Sequence, residues 1–122
     1  MKLRIVALAT ALLIATATAA HEVVKGPNGG RVVEVGTHHV ELVVRENVVS
    51  VFVTDANDKP IFVTGFKGVA IFTISGKAQR IVLDSKDGTR LFGTSPVTLP
   101  AGSVGVVQLT APDGKTTQGR FL

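Results

Sequence analysis

From Arg31 onward, short runs of Val, Ile, Thr and Phe alternate with polar residues and are separated by clusters of Gly, Asn, Asp and Pro. In His39–Glu46, Val40, Leu42 and Val44 face one way and His39, Glu41 and Arg45 the other. In Val48–Thr54, Val49, Val51 and Val53 oppose Ser50 and Thr54. A period of two puts one face of a strand on a core and the other toward water. Strands are predicted at Arg31–Val35, His39–Glu46, Val48–Thr54, Ile61–Val63, Val69–Ile74, Ala78–Leu83, Thr89–Phe92, Ser103–Thr110 and Thr116–Phe121. The Asp-Gly pairs at 87–88 and 113–114 are hairpin signals, because both residues tolerate positive φ. Eight or nine short strands at this spacing predict an all-β fold, a small antiparallel β-sandwich of Greek-key or Ig-like type or a small β-barrel. Phe52, Phe62, Phe66, Phe72 and Phe92 are the bulky candidates for the core or its margin.

The first twenty residues follow a different rule. Met1-Lys2-Leu3-Arg4 is basic, Ile5 to Ala15 is apolar apart from Thr10, and Thr16 to Ala20 are small. This is the layout of a secretory signal peptide, with an apolar run too short to span a bilayer. The expected organisation is a signal peptide over 1–20 and a single domain over 21–122. No later segment has the length of a membrane span.

Composition narrows the function. Without the leader the chain loses Lys2 and Arg4, and its formal charge falls from +4 to +2. So small a charge on an exported chain argues against nucleic-acid binding. The absence of Cys excludes a disulfide framework and thiolate metal sites, and the absence of Trp and Tyr removes the usual stacking platforms. With three histidines and no serine in a recognisable nucleophile turn, catalysis is not expected.

Those histidines, His21, His38 and His39, all lie near the start of the mature chain. Imidazole is the commonest side-chain ligand for Cu(II), Zn(II) and Ni(II). His39 and Glu41 are two apart on a predicted strand, on one face and roughly 7 Å apart, a separation suited to two ligands of one ion. His38 points to the other face unless a bulge re-aims it. The competing reading makes His38 and His39 solvated residues of a strand end. Cleavage after Ala19 or Ala20 would leave His21 at or next to a new α-amine, a nitrogen pair able to chelate Cu(II). Alone, His21 reads better as an incidental residue of a frayed terminus. The Gly26-Pro27-Asn28-Gly29-Gly30 segment reads as a turn docking the N-terminal arm on the sheet rather than as a phosphate cradle, because no helix follows it.

These segments, Gly26–Gly30, His39-x-Glu41-Leu42 and Asp55…Lys59-Pro60, resemble small exported bacterial proteins found alongside heavy-metal efflux systems. They are also similar to segments near the N-termini of some periplasmic adaptor subunits of metal-exporting pumps. The resemblance covers about the first forty mature residues, and Lys25 stands where similar segments often carry a histidine. It implies a periplasmic accessory protein that binds or buffers a divalent transition metal, with pump components or a second copy as partner. His21 and His39 are the first candidates as ligands, with Glu41 and His38 behind them. The alternative is a periplasmic interaction module that binds no metal and docks a partner through a sheet edge. Val43 on the outer face and the bare C-terminal strand favour it.

Overall fold

The computed structural model describes residues 24–122. The expected leader and His21 therefore lie outside the described residues. Within them the chain forms nine strands and no helix: β1 (Val24–Lys25), β2 (Arg31–Val35), β3 (His38–Arg45), β4 (Val48–Thr54), β5 (Lys67–Ile74), β6 (Lys77–Ser85), β7 (Leu91–Thr94), β8 (Gly105–Thr110) and β9 (Thr116–Phe121). Among the described residues no helix is long and apolar enough to cross a membrane.

All pairings are antiparallel, in the order β1-β2-β3-β4-β7-β6-β5-β8-β9. The run β8-β5-β6-β7 is a Greek key: three strands joined by hairpins, with the next laid beside the first. The sheet curls on itself. On one side β7 joins the halves, sharing only Asp84↔Phe92 and Ser85↔Leu91 with β6. On the other, β9 packs over β2, with Gly119 so near that a Cβ there would lie 2.5 Å from Val35 Cγ2. Arg31 ties this seam from β2, its Nη2 donating to Ser103 O at 2.7 Å and its guanidinium lying 5.8 Å from the centre of the Phe121 ring.

The curl encloses one core. β3 contributes Val40 and Leu42, β4 contributes Val49, Val51 and Val53, and the opposite half contributes Phe72, Ile81, Leu83, Val107, Leu109 and Phe121. Burying each such side chain stabilises the fold by roughly 1.5–3 kcal/mol. Of the phenylalanines expected near the core, only Phe72 is fully buried, and Phe66 packs at its margin. Phe52 and Phe92 are half-buried on the outer face, because the inward positions of β4 are its odd-numbered valines and Phe92 pairs with outward Ser50. Lys86 and Arg90 lie over the Phe92 ring at 5.0 and 5.1 Å. Phe62 is 79 % exposed. The segment expected to be a strand at 61–63 instead runs as an irregular connection with one bridge, Thr54↔Pro60. Pro60 has no amide to extend a ladder, and Val63 N turns away to Gly88 O.

Candidate functional site

One kind of turn recurs three times and frames both described histidines. At Gly26–Gly30, Asp55–Lys59 and Ala111–Lys115, the first residue's amide bonds the fifth residue's carbonyl. In each, the fourth residue's amide returns to the first carbonyl. The fourth residue has positive φ in every case: Gly29 (80°), Asp58 (62°) and Gly114 (87°). This is a type I turn closed by a left-handed residue, a three-residue hairpin loop that Pro-Asn-Gly and Pro-Asp-Gly favour.

The first turn folds over β3. Glu41, on the outer face of that strand, is nonetheless only 4 % exposed. Its Oε2 accepts from Asn28 N at 2.9 Å and Gly30 N at 2.8 Å, and its Oε1 accepts from Asn28 Nδ2 at 2.8 Å. A Cβ at Gly26 would collide with the Glu41 carboxylate, and one at Gly30 with the Leu42 carbonyl and Val43. The Gly-rich segment is thus an amide cradle whose anion is the protein's own side chain. An ion using Glu41 would have to displace these donors. The same turn covers Val43, whose exposure falls to 9 %, so Val43 forms no apolar patch on the outer face.

The second turn reaches the other functional candidate on this face. Asp55 Oδ1 accepts from Asn57 N at 2.8 Å and Lys59 N at 3.0 Å. Those amides, Lys59 foremost, hold the Asp55 carboxyl below its ordinary range. The turn presents Asp58, whose Oδ1 lies 2.6 Å from His39 Nδ1. A carboxylate only accepts, so Nδ1 carries the proton in this pair. On the other side of the ring, His39 Nε2 lies 3.6 Å from Oε1 of Glu34, its cross-strand neighbour on β2. His39 and Glu41 share a groove of about 310 Å³, walled by Val24, Lys25 and Pro27 on one side and Asp58 and Pro60 on the other.

His38 is on the opposite face, since the β2–β3 ladder runs without a bulge through Val35↔His38 and Glu34↔His39. Its ring meets Phe66 edge-on at 5.8 Å. It lines a separate cleft with Asp113 and Lys115 of the third turn. The fold therefore groups His39 with Glu41, Glu34 and Asp58 and sets His38 apart. Among the described residues, no three His, Cys, Asp or Glu side chains stand in an arrangement able to hold an ion by themselves. Asp58 escaped the sequence reading because the 55–60 cluster signals a turn and not where it docks. The place of Glu34 beside His39 depends on the β2–β3 register, which the sequence does not specify.

His39 is raised above the ordinary imidazole pKa of about 6.5, first by its hydrogen bond to Asp58, then by the charges of Asp58 and Glu34, against some desolvation. A raised folded-state pKa stabilises the fold below the unfolded value, and that contribution is lost as pH rises through the folded value. In EDTA, the stability advantage of wild type over His39→Gln is therefore expected to be larger near pH 5.5 than near pH 8.5. Urea unfolding at the two values measures it. An advantage that is flat, or that grows with pH, would contradict the pairing.

The chain matches no known protein family, no curated protein and no solved structure.

Proposed function

We propose that this is an exported, periplasmic accessory domain that binds one divalent transition metal, Cu(II), Zn(II) or Ni(II), as part of metal efflux or resistance. The observation that carries the reading is the poise of His39. A metal-binding imidazole commonly donates its second ring N–H to a carboxylate, which fixes the tautomer and leaves the other nitrogen to the ion. Asp58 meets that requirement at Nδ1. The remaining nitrogen stands 3.6 Å from the Glu34 carboxylate. That is long for a hydrogen bond and close to the ~3.4 Å that separates two ligands about 2.1 Å from a tetrahedral ion.

His39 and Glu34 supply two donors. The reading assigns the remainder to His21 and the α-amine released by leader cleavage. His21 is three residues before Val24, a reach of at most ~10 Å, and Val24 already walls the groove that holds His39. Glu41 then serves by holding the turn that carries this arm, and His38 stands outside the site. With neither Cys nor, after processing, Met, the donor set is nitrogen and oxygen, which suits these ions and not Cu(I). The resemblance to efflux-linked proteins supports the setting.

Calorimetric titration of the natively processed protein with Zn(II) and with Cu(II) tests the reading. One-to-one binding is expected, weakened on the order of tenfold or more by His39→Ala and by Glu34→Ala, with both variants still folded by circular dichroism. No binding tighter than millimolar, or an unchanged affinity in His39→Ala, would overturn it.

A further inference from the structure

The outer face of the half-sheet β6-β5-β8-β9 carries an unusual side-chain pattern. The strand registers align Arg80, Ile71, Val106 and Arg120 in one row across the four strands. The adjacent row is Val82, Val69, Gln108 and Gln118. Val82 is 53 % exposed, and Val104 beside the first row is 51 % exposed. A solvent-facing sheet surface ordinarily alternates these positions with polar residues. Here β-branched aliphatic residues form its centre, and charged residues edge it.

We infer that this face pairs with the same face of a second copy of the chain, sheet on sheet, about a two-fold axis crossing the strands at the Val82–Val69 row. The charges select that axis. On β6, Arg80 and Asp84 lie two residues to either side of Val82 on the same face. A two-fold axis perpendicular to the strands at Val82 sets Arg80 of each copy over Asp84 of the other. It also stacks Val82 on Val82 and Val69 on Val69. Ile71 meets the aliphatic stem of Lys67, which lies two residues on the other side of Val69. An axis parallel to the strands would instead set Arg80 over Arg120, bringing like charges together. An isologous interface needs this self-complementarity, and sheets stacked ~10 Å apart bring such side chains into contact. The patch spans three strand spacings, roughly 14 Å, so it is smaller than a standard interface and fits a weak dimer.

Sedimentation velocity on the exported, natively processed protein from ~10 μM to ~1 mM reads the result. A reversible monomer–dimer equilibrium is expected, indifferent to EDTA and weakened by salt. Val82→Asp is expected to abolish it. Arg80→Asp should raise the dissociation constant on the order of tenfold, and Arg80→Asp with Asp84→Arg should restore it, since the exchanged pair has the same cross-copy geometry. Val82 and Arg80 are exposed, so circular dichroism and thermal unfolding should show these variants folded. A wild-type chain that stays monomeric to ~1 mM, a dimer that survives Val82→Asp, or a charge exchange that fails to restore association would each overturn the inference.

Discussion

Replacing Glu41 with Ala is expected to cost the domain on the order of 3 kcal/mol, although the substitution removes a charge from a strand and opens no hole in the core. The carboxylate accepts from two backbone amides and one side-chain amide in a site 4 % exposed. Hydrogen bonds to a charged group contribute about 1.5–3 kcal/mol each, and the exposed turn can recover part of the loss by bonding water. Those bonds tie the Gly26–Gly30 turn to β3, so losing them also frees the turn to lift and uncover Val43, which is 9 % exposed beneath it. A domain of this length has only about 5–15 kcal/mol in total, so the loss is large. At ~4–8 °C per kcal/mol, the melting temperature should fall by more than ~10 °C. Hydrogen exchange locates the effect: the Asn28 and Gly30 amides should lose protection before the β5–β8 core does. A drop confined to a few tenths of a kcal/mol would mean that the turn is held by its own backbone bonds. Under the proposed function, Glu41→Ala should also weaken metal binding, because the Gly26–Gly30 turn fixes Val24 at the wall of the groove.

Much of this fold is legible because strand faces obey parity. Val49, Val51 and Val53 point inward in β4, as their alternation predicts, and the same parity puts Phe52 outside. Bulk alone misleads: Phe62 looks like a core residue and is 79 % exposed, while Phe121 at the last hairpin is buried. What parity cannot supply is the partner on the other side of the core. Nothing local to β9 announces that Gly119 will pack on Val35, because that contact is decided by the curl of the whole sheet. β1 is also invisible in the sequence, since two residues, Val24 and Lys25, are too few to show a period.

The candidate site divides along the same line. His39 and Glu41 sharing a face, with His38 on the other, follows from their spacing on one strand. The different fates of His39 and Glu41 do not. Glu41 sits under the Gly26–Gly30 turn and is consumed by its amides, whereas His39 sits past the turn's edge and meets Asp58 from the second turn. Docking of one loop on a distant strand is a tertiary choice. The three matching turns do leave a local trace: Pro-Asn-Gly at 27–29 and Pro-Asp-Gly at 112–114 share a signature. Asp58 occupies the left-handed position with a side chain, where glycine would be easier. That costly choice places a carboxylate against His39.

The second large effect is expected where the two halves of the sheet join. Gly93 lies in β7, and a Cβ there would run into the carbonyl oxygen of Val82 and lie 2.9 Å from Ile81 Cγ2. The first obstacle is backbone and the second a core side chain, so neither can swing aside as a long surface chain would. Gly93→Val must push β7 off β6, and those strands share just two register pairs, Asp84↔Phe92 and Ser85↔Leu91. Overpacking a core typically costs about 1–3 kcal/mol, and the loss of strand pairing should carry this case to about 3 kcal/mol or beyond. Gly102→Ala is the matched control, because its added methyl would find nothing within 4 Å; it should change stability by less than about 0.5 kcal/mol. Urea unfolding of the two variants beside wild type decides the matter. If both are neutral, β6 and β7 can separate without loss, and the halves would be held by the shared core and the Arg31 seam alone. If Gly93→Val unfolds the domain while Gly102→Ala does not, the narrow β6–β7 junction is what turns two sheet halves into one enclosed core.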